Sequence, residues 1–273
     1  MSDGLLYFFI HKNRIHIFQF SVNICAVFTN IYSEEEIKMR TYLAQLSYAY
    51  EGNWNKIYKA LQIRETVPYQ HIQEKYITVL DKEYPSSLKD LKDPPFVVFY
   101  KGDISLLALP KVTVVGSRNV CDYGKKTTQT ITNALKKRYV ITSGLAKGVD
   151  AIAHESALNG GKTIAVVGQG LYYQYPYCNR HLYSAIEAGG HILSEFPFYT
   201  PVRKQNFPVR NRILAALGER LFVTQAALRS GTMLTVNYAL EMDREIYSIP
   251  YPFDTTDGQG CNRLIDEGAQ ILY

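Results

Sequence analysis

The chain has 273 residues, 47% of them hydrophobic, with a formal charge of +5 and an isoelectric point near 8.8. That is enough apolar material for a sizeable core in one or two domains, and the mild positive balance permits a polyanionic partner without requiring one. The four cysteines (Cys25, Cys121, Cys178, Cys261) lie far apart with no CxxC pair, so neither a metal site nor a disulfide framework is expected, and reduced thiols in a cytoplasmic protein are.

Residues 5–32 are rich in Leu, Phe and Ile, but Lys12, Arg14, His16, Gln19 and Asn23 interrupt the run. It falls short of the ~20 apolar residues a membrane span needs. Asp3 stands where a secretory signal would be basic, and no small-residue cleavage site follows. Association with a membrane is therefore not expected. The stretch EEEIKM (34–39) begins with three Glu residues, whose codons are purine-rich, just ahead of Met39, as a ribosome-binding sequence would precede a start codon. The expectation is that synthesis begins at Met39 and that residues 1–38 are a misassigned extension, which the intact mass of the native protein would check.

From Met39 to about Gln70 the apolar spacing is helical. Tyr42, Leu43 and Leu46 share one face, Ile57, Tyr58 and Leu61 another, and Gly52-Asn53 marks a turn between them. A small helical domain over 39–75 is expected, followed by a larger one over 76–273. YITVL (76–80) and FVVFYKG (96–102) read as strands joined by a Pro-punctuated connection. After Pro110 the rhythm becomes regular: KVTVVG (111–116), YVITSG (139–144), KTIAVVG (162–168), HILSEF (191–196), RLFVTQA (220–226) and EIYSIP (245–250) are short β-branched runs. Segments of helical spacing lie between them. Strands buried on both faces read as continuous apolar runs, and parallel pairs need crossover helices. The pattern predicts an α/β fold with a Rossmann-like, doubly wound, mostly parallel sheet. NRLIDEGAQILY (262–273) adds a short helix and strand.

Ligands of such sheets sit beyond the carboxyl ends of the strands. Those ends carry GSR (116–118), SGLAKGVD (143–150) and GQG (168–170), with SGTMLT (230–235) further on. Gly116, Gly144, Gly148, Gly168, Gly170 and Gly231 are candidates for cradling phosphate, with tight βα turns as the alternative. A dinucleotide fits poorly, because GxGxxG is missing after the first strand and the second ends in Ser143-Gly144. SGTMLT resembles the phosphate loop of Rossmann phosphoribohydrolases, but the Glu that chemistry needs would fall at Thr235. Without paired carboxylates, a Ser/His/Asp set or a P-loop, no catalytic residue and no cofactor are expected. His154 reads as a packing histidine and Asp150 as a helix cap. A small-nucleotide-binding or phosphoribohydrolase-like enzyme remains the alternative function.

RKQNFPVRNR (203–212) has four basic residues and none acidic. Following HILSEF, it is expected in the loop entering the next helix, on the same edge as Arg118. Arg210 and Arg212 would flank Asn211 in the first turn, where free N–H groups disfavour a cation unless an anion compensates. Guanidinium forks suit phosphate oxygens, and Phe207 offers a ring for a base to stack on. From the residues alone an equal alternative stands: the arginines pair with carboxylates such as Glu195, and Phe207 is core.

VVGSR, SGLAKGVDAIAH, IAVVGQGLYYQYP, ILSEFP, NFPVRNRILAALG, RSGTMLT and GCNRLIDEGA occur in the order and spacing of the DNA-processing protein A (DprA/Smf) family, which the chain resembles over about residues 77–273. The resemblance implies a non-enzymatic binder of single-stranded DNA in natural transformation, which protects incoming DNA, displaces single-strand-binding protein and loads the RecA recombinase as a homodimer. Carried over by position, the DNA contacts would be Gly116, Ser117, Arg118, Lys204, Phe207, Arg210, Asn211 and Arg212, and the dimer interface would include Leu264, Ile265 and Ile271. Residues 39–70 resemble a shortened SAM-like unit. Three positions depart from the family pattern: Tyr177 where some members carry Lys, Tyr251 in place of Gly, and Gln225 in place of Glu.

Overall fold

A computed structural model describes residues 8–11, 14–17 and 34–272. Strands β1 (Phe8–His11) and β2 (Arg14–Ile17) form an antiparallel pair. The remainder of residues 1–33, and with it most of the proposed extension, lies outside the described residues. Helix α1 (Glu34–Ala49) runs through the 38/39 boundary without a break.

Helix α2 (Trp54–Ile63) starts where Asn53 accepts the Lys56 N–H at 3.1 Å and stops at Arg64, whose φ of 51° ends the helical path. Leu43 and Leu46 of α1 and Ile57 and Ala60 of α2 are buried in one apolar cluster with Phe96 and Phe99 of the α/β body. Trp54 stacks on Phe96 at 5.4 Å and donates Nε1–H to the Pro94 carbonyl at 2.9 Å. The helical unit thus shares its core with the larger body, which compensates for its small size.

The main sheet contains nine strands: β3 (Lys75–Thr78), β4 (Val97–Gly102), β5 (Lys111–Gly116), β6 (Val140–Ser143), β7 (Thr163–Val166), β8 (His191–Ser194), β9 (Arg220–Gln225), β10 (Glu245–Ser248) and β11 (Gln270–Ile271). Their spatial order is β11-β10-β9-β5-β6-β7-β8-β4-β3. All neighbours from β11 to β8 are parallel, and β4 and β3 join antiparallel. The sheet is therefore doubly wound and mostly parallel, as the sequence predicts. The chain runs outward from β5 through β6, β7 and β8, then returns to place β9 on the other side of β5. The switch point lies between β5 and β9, and a crevice opens beyond their carboxyl ends.

Helix α3 (Ser86–Lys89) lies between β3 and β4, and the crossovers are α4 (Asp122–Leu135), α5 (Val149–Leu158), α6 (Arg180–Gly189), α7 (Asn206–Leu217) and α8 (Gly231–Glu241). Both sheet faces are covered. Val112 and Val114 of β5 pack with Val149 and Ala153 of α5, whereas Thr113, pointing the other way, donates to the Leu214 carbonyl of α7 at 2.7 Å.

Helix α9 (Gln259–Asp266) precedes β11. Leu264, a candidate interface residue, faces inward and is buried in the main core, which removes it from any dimer surface. Ile265 is half-buried, and Ile271 is exposed on the edge strand. Tyr251 is also buried; its hydroxyl donates to the Thr224 carbonyl at 2.7 Å, so this departure from the family pattern is a packing residue.

Burial pushes the imidazole of His154 down to about 3 and that of His191 to about 4. Both lie below the unfolded value of about 6.5, so the unfolded chain takes up protons first, and the contribution present above pH 6.5 is lost as pH falls toward 4. His191→Phe should therefore gain about 2 kcal/mol relative to the parent chain between pH 7 and pH 5, read by urea unfolding at both values.

Candidate nucleic-acid interface

Helix α7 begins at Asn206, earlier than its sequence suggests, because Pro208 in the first turn lacks only an N–H that would be unpaired anyway. Arg210 and Arg212 consequently lie in the second turn. Neither guanidinium therefore lies among the free first-turn N–H groups, and no compensating anion is required beside them.

Arg212 is 2% exposed. Its Nη1 and Nη2 donate to Glu195 Oε2 and Oε1 at 2.7 and 2.6 Å, and Nε and Nη2 to the Asp93 carbonyl at 3.2 and 2.9 Å. Burial opposes the charge of Arg212, but the Glu195 carboxylate outweighs it and holds the guanidinium above its ordinary range. This fork is that of a buried structural pair, in which burial raises the Glu195 carboxyl and Arg212 opposes the rise, and Arg212 offers a ligand almost no surface. Arg210, 4% exposed, donates Nη1–H bonds to the carbonyls of Gly144 and Val166, both at 2.6 Å. Its charge faces Asp150, whose carboxyl is raised by burial and opposed mainly by Arg210. Asp150 accepts the Ala146 N–H at 3.3 Å, while Gly148 occupies the cap position expected for it.

The glycines divide accordingly. A side chain at Gly144 would strike Arg210 and Asp150; one at Gly148, where φ is 77°, would strike the Ser117 and Arg118 carbonyls. At Gly168 it would press on Phe207 at 3.0 Å, and at Gly170 on the Pro197 and Phe198 carbonyls. Close approach by protein atoms accounts for these four, in place of the phosphate cradle expected of them, and also for Gly116, where a side chain would strike Val149 and the Gln225 carbonyl. Gly231 has open space around its Cα.

What remains converges. A cavity of about 540 Å³ opens at the β5/β9 switch point, lined by Gly116, Ser117 and Arg118 after β5, by Phe207, Arg210 and Asn211 of α7 with Lys204 just before it, and by Gly231 and Thr232 of α8. Arg118 and Lys204 are exposed, and Phe207 is half-buried. The Arg118 guanidinium lies 5.6 Å from the Phe207 ring centroid, and Tyr175 flanks that ring from another side at 5.9 Å. Asn211 reaches across to the Gly231 carbonyl at 3.4 Å. Arg203, the remaining basic residue of the stretch, pairs with Glu51 at 2.8 Å. The rim is thus cationic and contains an aromatic ring, and the floor holds a buried guanidinium.

Gln225 holds the Arg118 loop. Ser117 donates its N–H to the Gln225 carbonyl at 2.7 Å, the Gln225 amide donates to Asn119 O at 3.1 Å, and its Oε1 accepts from Cys121 N at 3.1 Å. Ser117 Oγ is itself bonded to Asn119 within the loop. In the sequence Gln225 stands out only as a departure from the family's Glu. A buried amide at a strand end was the available signal for its positioning role. Tyr175 was missed in the same way, within the aromatic run LYYQYPY.

A family model described as DNA recombination-mediator protein A matches residues 75–273. The chain belongs to this family. It is 43% identical over 197 residues to the DNA processing protein DprA of Streptococcus pneumoniae, covering 71% of this chain and 70% of that one. It is 40% identical over 217 residues to Protein Smf of Synechocystis, covering 75% of this chain but 54% of the longer relative. Among solved structures, DprA from S. pneumoniae superposes with a TM-score of 0.75 at 32% identity over 88% of this chain and 95% of that one. DNA processing protein A from Helicobacter pylori, studied for its single-stranded DNA binding mode, superposes with 0.67 at 35% identity over 74% and 92%. The matched span includes the whole cavity.

Breaking a buried ion pair strands the surviving charge. Arg212→Ala should lower unfolding stability by about 3–5 kcal/mol, and Arg118→Ala should leave it within about 0.5 kcal/mol, in parallel denaturant titrations.

Proposed function

We propose that the cavity and its cationic rim bind single-stranded DNA without sequence preference, and that the protein serves natural transformation by protecting incoming DNA and loading RecA in place of single-strand-binding protein. The observation that carries this reading is the pairing of two exposed cations, Arg118 and Lys204, with the half-buried Phe207 ring at the switch point. Phosphates supply the sequence-independent attraction and a ring accepts any base, so the combination selects a flexible strand with unstacked bases. Family membership supports it, as does the study of the H. pylori relative for its single-strand binding mode.

The contacts we assign to DNA are Gly116, Ser117, Arg118, Lys204, Phe207, Asn211 and Gly231, with Arg210 contributing charge from below. Homodimerisation through the β11 edge, with Ile265 and Ile271, belongs to the same reading; an edge strand with an exposed apolar residue is open to pairing. A cytoplasmic location accords with it. Among the described residues no helix is long and apolar enough to cross a membrane. We read the site as non-catalytic. Thr235 lines the cavity where a nucleotide hydrolase would need Glu, and the carboxylate that does line it, Asp150, faces Arg210.

Fluorescence anisotropy with labelled oligonucleotides tests the proposal. Log affinity should fall linearly with log salt, by about 0.7 per phosphate neutralised. Arg118→Ala and Lys204→Ala should each weaken binding of every sequence and flatten the slope by about 0.7. Phe207→Ala should cost about 1–3 kcal/mol and leave the slope nearly unchanged. Because Arg118 lies over Phe207, the double variant should lose less than the sum. Saturation by a mononucleotide as tight as by the oligomer would contradict the reading.

A further inference from the structure

The loop from Gln169 to Tyr177 has a fixed backbone and exposed rings. The buried Tyr183 hydroxyl donates to the Tyr175 carbonyl at 2.7 Å and accepts the Tyr175 N–H at 3.2 Å and the Gln169 amide at 2.8 Å. Gly170 N–H donates to Thr200 O at 2.9 Å and Tyr172 N–H to Phe198 O at 3.1 Å, which joins this loop to the one after β8. Gly170 lacks a side chain because that junction leaves no room for one. On this frame Tyr172, Tyr177 and Tyr199 are 59%, 77% and 63% exposed. Tyr172 lies 5.2 Å from Tyr199 between centroids, and the Arg180 guanidinium lies 5.9 Å from the Tyr177 ring. Large rings held rigidly in water are unfavourable unless something covers them.

We infer that these tyrosines are a second stacking platform for the same single strand, so that the DNA track extends from the cavity across the 169–177 and 196–200 loops. The inference rests on the reading of the cavity given above. Continuity decides the occupant. Tyr175 lines the cavity beside Phe207, and the same loop carries Tyr172 and Tyr177 outward. A strand leaving Phe207 past Tyr175 follows this loop toward those rings, with the exposed Arg180, whose Nε donates to Gln174 Oε1 at 2.9 Å, beside Tyr177.

The test compares oligothymidylates of about 6 and 20 nucleotides on the full chain. Tyr172→Ala and Tyr177→Ala should each weaken binding of the long oligomer roughly 5- to 100-fold, the range for losing one stacked base, and leave the short one unchanged. Tyr177→Phe should restore the affinity, and Tyr177→Lys should steepen the salt slope by about 0.7. Equal effects on both lengths, or no effect on either, would overturn the platform while leaving the cavity reading intact. So would loss of self-association in Tyr177→Ala at unchanged DNA affinity, which would make the shelf a protein contact. If the parent chain bound neither oligomer, the cavity reading would fail first, and the platform with it.

Discussion

Arg212 reaches inward from α7 to grip Glu195 with both Nη atoms, and two residues earlier Arg210 ties itself to the carbonyls that end β6 and β7. These two side chains hold one helix against the carboxyl ends of three consecutive strands. Taking ions out of water costs several kcal/mol each, so such an arrangement persists where its geometry and hydrogen bonds are nearly complete. Its consequence is positional. With α7 fixed, Phe207 is held against Gly168, Asn211 bridges to Gly231, and Lys204 stands free at the entrance.

The same constraint divides the basic stretch by task. The inner arginines organise the rim, Arg203 joins the helical unit through Glu51, and Lys204 and Arg118 are left for a partner. Arg118 comes from a separate crossover and is aligned by Gln225 across the switch point. In the proposed function, cations from two elements on one side of a doubly wound sheet form a track for a polyanion without a helix dipole at either arginine of α7. The proposed aromatic platform would continue that track on a frame stiffened by Tyr183 and Gly170. Such preorganisation lowers the conformational cost of binding a flexible strand.

Much of the fold was legible because doubly wound sheets write themselves as uninterrupted β-branched runs; KVTVVG coincides with β5, while YVITSG and KTIAVVG extend past strands that end where the ligand-side turns begin. The site was legible in its residues but only partly in their directions. Arg210 and Arg212 admitted two orientations, and what decides between them is the burial of every residue from Arg212 to Leu217, the mark of a helix covered all round. RILAAL carries that signal. The glycines misled for a related reason: a small residue reports close approach, and the sequence does not say whether the approaching atoms are protein or ligand. Leu264 went astray because a carry-over by position places a residue in the C-terminal part of the fold without showing which way its side chain faces.

The most direct measurement is a crystal structure of the chain with a short oligothymidylate. Phosphate oxygens should lie within hydrogen-bonding distance of Arg118 and Lys204, with a base against Phe207 and Arg212 still bound to Glu195. A strand seated away from the β5/β9 crevice, or one that draws Arg212 off Glu195 to reach a phosphate, would contradict the account.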